Sequence, residues 1–391
     1  MTARTLGTTL DPRRNALNAV RLLLSVGVLF WHSFPLTGTA DPVHSVRQLL
    51  SSISVDGFFA ISGFLITASW IRQPRLLTYL QARILRILPA FWLCLLLTAA
   101  VLAPLSAVIE YGSLAGLSGR SAVNYVLSNG YLQIRQFGIT GTLDSVPLRG
   151  VWNGSLWTLR WEFACYLGVA VLGLVKILER RGAIPALFLA AVGWLTLTTF
   201  RPTGNYYLDT GPRFAVMFLA GAVVFYARRF LPASWWMVIA ALVAVAASSL
   251  LPDYRLVAAL PLAYASITAG ALCHSRRLQL HNDISYGMYV YAFPVQQMLA
   301  VMGLTRLGVV GFFMLATAAT VPLAAGSWFF VERPALSLKK VLSPQSWRAW
   351  RSRSGLAGMP VPQPHAATQE RAADVLVAVP ESSHGVGGLP S

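Results

Sequence analysis

Asn18-Ala19-Val20-Arg21-Leu22-Leu23-Leu24-Ser25-Val26-Gly27-Val28-Leu29-Phe30-Trp31-His32 is an apolar run with one arginine near its start and one histidine at its end. At about 100° and 1.5 Å per residue, an α-helix returns Arg21 and His32 to nearly the same face, roughly 16 Å apart along its axis. A cation and an imidazole therefore share one stripe of one helix. If that helix crosses a bilayer, each is costly and needs a partner or a task.

The rest of the chain makes a bilayer its natural setting. Of 391 residues, 55% are hydrophobic and only 12% charged, and the mean hydropathy is +0.59, too apolar for an ordinary soluble globule. Apolar stretches near the roughly 20 residues that span a hydrocarbon core fall at 16–37, 55–72, 87–108, 157–177, 184–200, 211–227, 232–250, 256–273, 284–303 and 307–331. The expectation is an all-α polytopic membrane protein of about ten transmembrane helices. No internal repeat stands out.

A net charge of +17 invites a nucleic-acid reading, but its distribution argues against one. With successive loops assigned to alternate sides, 21 of the 31 Lys and Arg fall on the side of the amino terminus and 8 on the other, with Arg21 and Arg160 within or at the edge of spans. That bias is what positive-inside insertion produces, so both termini are expected in the cytoplasm. The partner this distribution implies is membrane lipid, with no nucleic acid.

Cys94, Cys165 and Cys273 lie in apolar spans with no CxxC and no metal-ligand spacing, so they read as small buried residues, and neither a metal nor a bound cofactor is expected. Met1 to Arg14 lacks the apolar core of a cleaved signal. The division expected is a cytoplasmic segment over 1–15, a transmembrane domain over 16–340, and a tail over 341–391. The Pro, Ala, Gly and Ser content of that tail does not bury a core, so it reads as disordered and cytoplasmic.

Several residues stand out along the domain. Val46, Leu49, Leu50 and Ile53 have helical spacing and suggest a short interfacial helix ahead of the second span. Asp56 then sits at the outer start of that span, where a carboxylate suits the helix dipole as well as it suits catalysis. Arg83 and Arg86 are i, i+3 neighbours just inside the membrane. Two guanidinium groups so placed suit a phosphate-bearing ligand, and equally an anionic lipid surface.

Glu110 to Val151 forms the longest outer loop, with a weak helical pattern around 122–132, and is long enough to form an acceptor-binding lip. Glu162 lies within an apolar helix with only Arg160 near it in sequence. If the fourth span begins at its outer surface near Trp157, Glu162 is about one and a half turns deep, and His32 is in the same outer third. A carboxylate beside a histidine is the usual arrangement for a tuned general base. Glu332 and Arg333 read as a pair at the inner surface.

Taken in order, Arg21 with ten residues before His32, Asp56-Gly57-Phe58-Phe59 followed by Ser62-Gly63-Phe64, Arg83 and Arg86 before Pro89, Trp157-Thr158-Leu159 leading to Glu162 and Tyr166, Ser285-Tyr286-Gly287 with Tyr289, and Glu332-Arg333-Pro334 resemble the membrane acyltransferase-3 family of bacterial O-acyltransferases. The resemblance runs from about Asn15 to Pro334. It departs at Phe163, where the family often has a second acidic residue, and at Ala292-Phe293-Pro294, where it often has a histidine.

The resemblance implies transfer of an acyl group, usually acetyl, from cytoplasmic acyl-coenzyme A to a hydroxyl, typically of a carbohydrate or glycolipid bound for the cell surface. The catalytic residues would be His32 as general base, with Glu162 and Asp56 fixing its tautomer. The donor would meet Arg21, Arg83, Arg86 and Tyr286, its pantetheine arm threading from Arg21 toward His32. An acyl-histidine intermediate is the rival mechanism. Two other functions fit the composition: a transporter or flippase of about ten spans, and acylation of a small-molecule acceptor.

Overall fold

The computed structural model describes residues 4–40, 42–180 and 182–341, and among them there is no β-strand. The expected tail lies outside the described residues beyond Val341. The bundle opens with α1 (Leu17–Leu36) and α2 (His44–Arg72). Helix α3 (Leu76–Leu97) runs through a π-helical turn, Thr98–Leu102, into α4 (Ala103–Tyr111), and α5 (Gly119–Asn129) lies in the loop after it. Then come α6 (Thr158–Leu174), α7 (Ala183–Phe200), α8 (Tyr206–Ala227), α9 (Trp235–Ser248), α10 (Arg255–Leu272), α11 (Ser285–Val301) and α12 (Gly308–Ser327). A second π-helical turn, Trp328–Glu332, joins α12 to α13 (Arg333–Val341).

Each of the ten predicted segments contains a helix, and seven helical stretches are long and apolar enough to cross a membrane. Helices α6 and α11, of 17 residues each, and α9, of 14, are shorter than that length. The chain is a multi-pass membrane protein.

Helix α2 has 29 residues and starts at His44. No glycine or proline interrupts His44 to Asp56, so the expected interfacial helix and the second span are one element. Asp56 therefore lies in mid-helix and caps nothing. Two glycines set the closest crossing of this helix: a Cβ at Gly63 would fall on the Phe218 carbonyl, and one at Gly221 on the Ala60 carbonyl. Such small-residue contacts let α2 and α8 approach backbone to backbone, the usual basis of helix packing in lipid.

Helix α11 is buried on every face from Ser285 to Ala300, although it carries Tyr286, Tyr289, Tyr291, Gln296 and Gln297. Its side-chain donors are taken up by neighbours. Gln297 Nε2 donates to the carbonyls of Leu148 (2.9 Å) and Val151 (2.7 Å), Tyr289 donates to Ser155 O (2.5 Å), and the Val290 carbonyl accepts from Asn153 Nδ2 (3.3 Å). These bonds hold Trp152, Asn153, Ser155 and Leu156 buried without helical structure. Irregular backbone inside a membrane bundle is tolerated only where protein groups satisfy it, as α11 does here.

Candidate active site

The two residues of the α1 stripe meet very different surroundings. At one end Arg21 Nη1 donates to Asp283 Oδ2, and Arg86 Nη2 donates to the same oxygen at 2.5 Å. The other carboxylate oxygen accepts from Ser285 Oγ (2.5 Å) and Ser285 N (3.3 Å). Arg86 Nη1 reaches Glu332 Oε2 at 3.2 Å, and Glu332, fully buried, also accepts from Ser327 Oγ at 3.2 Å. The rings of Tyr286 and Trp328 flank the Arg86 guanidinium at 5.5 and 5.6 Å.

Asp283 precedes α11 and sits outside the span. Burial pushes its carboxyl up, but Arg21, Arg86 and the Ser285 donors outweigh that and hold it down at about 2.

The same end holds a second group. Arg83 Nη2 donates to Ser69 Oγ (2.8 Å), and its guanidinium lies over the rings of Tyr79 (5.4 Å) and Tyr166 (5.9 Å). Its Nε is buried with no hydrogen-bond partner. Glu162 accepts from Ser62 Oγ at 3.1 Å and from the Tyr166 hydroxyl. Three guanidinium groups and three carboxylates thus gather at the arginine end of the bundle. Arg83 alone among the six keeps a buried donor to spare.

At the other end His32 forms no hydrogen bond with any described residue. Its ring stands edge-on to Phe293, centroids 5.0 Å apart, and its Nδ1 is buried without a partner. Around it Gln296 Nε2 donates to Leu29 O (3.0 Å) and Ser33 Oγ (2.9 Å), while the amide oxygen of Gln296 is also buried and unpartnered. The irregular segment completes the surroundings: a Cβ at Gly154 would lie 2.6 Å from the Phe293 ring.

Along this whole line the family model for the acyltransferase domain matches residues 14–331. The chain belongs to the acyltransferase-3 family. Nodulation protein 10 of Rhizobium leguminosarum bv. viciae is 26% identical over 370 residues, covering 84% of the chain and 95% of that protein. The O-acetyl transferase of Shigella phage Sf6 is 27% identical over 337 residues, covering 82% and 96% respectively. No solved structure matches the chain. The protein is an acyltransferase.

Within this acyltransferase the expected site residues fall into three places. Arg21, Arg86 and Tyr286 come together at one end, Tyr286 donating to Ile87 O at 2.7 Å. Arg83 and Arg86, expected to point the same way, diverge to different partners. Glu162 joins Arg83 and not His32. Gly27 lies against Ser54 and Gly57 against Leu24, a register that sets Ser62, the partner of Glu162, about 13 residues or roughly 20 Å from His32 along the axis. The shared depth expected for the two fails because the chain from Trp152 to Leu156 is already buried before α6 begins.

Asp56 is the third place. It is fully buried and accepts from the Tyr254 hydroxyl, with Arg255 Nε 2.6 Å from the same carboxylate oxygen. Arg255 also contacts Asp253 at 3.3 Å. By the same register Asp56 is about 10 Å below His32 along the axis. Neither Asp56 nor Glu162 hydrogen-bonds to His32.

Sequence reasoning missed Asp283 and Arg255, which read as loop charges, and gave Glu332 the wrong partner, Arg333 for Arg86. Arg160 does not pair with Glu162 either; it lies 4.4 Å over the Tyr207 ring and donates to that hydroxyl at 3.0 Å.

Proposed function

We propose that this acyltransferase moves an acyl group, acetyl the foremost candidate, from cytoplasmic acyl-coenzyme A to a hydroxyl of a cell-surface carbohydrate. It would act from the cytoplasmic membrane as a protein of about ten spans, with both termini inside. The observation that carries the reading is one helix with charge-paired Arg21 near one end and unpartnered His32 near the other. A donor that is ionic at one end and reactive at the other suits that line. The name of the phage relative, an O-acetyl transferase, supports the same chemistry.

Donor phosphates belong at the arginine end. Arg21 and Arg86 are already committed to Asp283 and Glu332, so Arg83, with its spare buried donor, is the first phosphate ligand, and Tyr286 holds Arg86 in place from the α11 side. Charge-assisted contacts of this kind are about twice as strong as neutral ones. The pantetheine arm then covers the roughly 16 Å to His32, bringing its thioester to the imidazole.

There the acceptor hydroxyl gives its proton to a ring nitrogen of His32 as its oxygen attacks the thioester carbonyl. The carbon–sulfur bond breaks, the ester stays on the acceptor, and the coenzyme A thiolate recovers the proton from the imidazolium. With no carboxylate against the ring, the tautomer is set when the acceptor or donor docks.

The test is mass spectrometry of ester-linked acyl groups on surface glycans from cells with the intact gene, without it, and with His32→Ala. One defined ester lost in both defective strains is expected. Identical ester profiles in all three strains would overturn the reading.

A further inference from the structure

At the His32 end, the loop between α4 and α6 carries an open cleft of about 680 Å³ lined mostly by polar residues. We propose that this cleft binds the hydroxyl-rich acceptor, a carbohydrate, and delivers it to His32; the proposal rests on the transfer reading above.

The cleft is a built feature of the fold. Glu110 at the end of α4 gathers the loop, accepting from Leu143 N (2.8 Å), Ser145 N (2.9 Å) and Ser145 Oγ (2.5 Å). Gln136 ties it to α5 through Nε2 bonds to Ser121 O (2.9 Å) and Ser121 Oγ (3.2 Å), and also donates to Gly138 O (2.8 Å) within the loop. Helix α5 is thereby fixed, its amino end capped by Ser118, which accepts from Ser121 N at 3.2 Å.

On that fixed wall Arg120 and Asn124 are four residues apart, so they share one helix face. Both line the cleft, both are exposed, and neither bonds to another described residue. Across from them are Thr140 and Asp144, the carboxylate of Asp144 accepting from the Tyr111 hydroxyl.

The mixture of groups defines the ligand. A guanidinium, an amide, a hydroxyl and a carboxylate offer both donors and acceptors, as vicinal hydroxyls require, whereas the carboxylate disfavours a polyanion. Tyr111 and Phe137, 48% and 44% exposed, add aromatic surface beside the cleft, against which the C–H face of a sugar ring packs.

A few packed residues link the cleft to His32. Gly150 lines the cleft, Trp152 N donates to Phe137 O (2.8 Å), and Trp152 Nε1 donates to Thr142 Oγ1 (2.9 Å). Two residues further on, at most about 7 Å of chain, Gly154 abuts Phe293, the ring that packs against His32.

The experiment uses the full-length protein in lipid nanodiscs with acetyl-coenzyme A and ester-free surface polysaccharide from cells lacking the gene. The double variant Arg120→Ala, Asn124→Ala is expected to raise KM for the polysaccharide about tenfold. KM for acetyl-coenzyme A, and slow thioester hydrolysis without polysaccharide, stay as in the intact protein. Arg135→Ala, an exposed arginine outside the cleft, leaves all three unchanged. If transfer proceeds with the polysaccharide KM unmoved in the double variant, the cleft assignment is overturned while the transfer reading stands. If the intact protein forms no ester on the polysaccharide, the carbohydrate reading fails and takes this inference with it.

Discussion

The two ends of α1 differ in how far their polar groups are satisfied. Arg21 shares Asp283 with Arg86, and the cluster extends through Glu332 to Ser327. His32, on the same helix, packs edge-on to Phe293, hydrogen-bonds to no described residue and leaves Nδ1 unpartnered. A satisfied cluster of buried charges holds helices in register, whereas an unsatisfied buried group in such a bundle is free to take a partner from outside the chain. Under the proposed function the arginine end is therefore mostly scaffold, with Arg83 as its open site, and the histidine end is mostly site.

Breaking the histidine end should give the largest effect. His32→Ala is expected to lower the transfer rate by about 100-fold or more, the range for loss of a general base, while the melting temperature in detergent falls only by the packing lost against Phe293, no hydrogen bond being broken. A marked fall in melting temperature with activity retained would reverse the comparison.

Next, Asp283→Asn leaves two guanidinium groups facing each other and should cost about 3 kcal/mol of stability, the lower range for breaking a buried ion pair. Thermal unfolding measures it, and an unchanged midpoint would deny the cluster its scaffold role. The pH dependence has a defined sign. The Asp283 carboxyl is held at about 2 against an ordinary 3.8, so its contribution is present above pH 3.8 and is lost as the pH falls toward about 2.

Arg83→Ala should raise KM for acyl-coenzyme A about tenfold, as loss of one charge-assisted phosphate contact does, with little change in folding. Donor kinetics equal to those of the intact enzyme would leave Arg83 as a ring-stacked anchor. The smallest expected effect is on the pH–rate profile of Glu162→Gln. With Glu162 held by Ser62 and Tyr166, the apparent pKa of the reaction should not move. A shift would mean that donor binding brings the two ends into electrical contact.

The stripe of α1 was legible because helical geometry alone puts Arg21 and His32 on one face, and the alternation of apolar runs was enough for an all-helical membrane fold. The hidden parts depend on partners far apart in the chain. Nothing near Asp56 announces Arg255, and Asp283 reads as a loop residue until Arg21 and Arg86 converge on it. Glu332 reaches Arg86 from the end of a π-helical turn, whose extra residue rotates the next turn of chain in a way periodicity does not register. Glu162 was assigned to the wrong depth because that reading equates the helix start, expected at Trp157 and found at Thr158, with the membrane surface. The buried, non-helical Trp152 to Leu156 separates the two.

Helix α11 has a bearing on how the protein is made. Enclosed from Ser285 to Ala300 and carrying two glutamines and three tyrosines, it has no lipid-facing surface to recommend it to the insertion machinery. Its place in the bilayer depends on the helices already waiting there and on α12 emerging behind it. Biogenesis of this enzyme should accordingly be sensitive to synonymous or chaperone-level changes in translation timing around this hairpin, even when the finished protein is chemically the same.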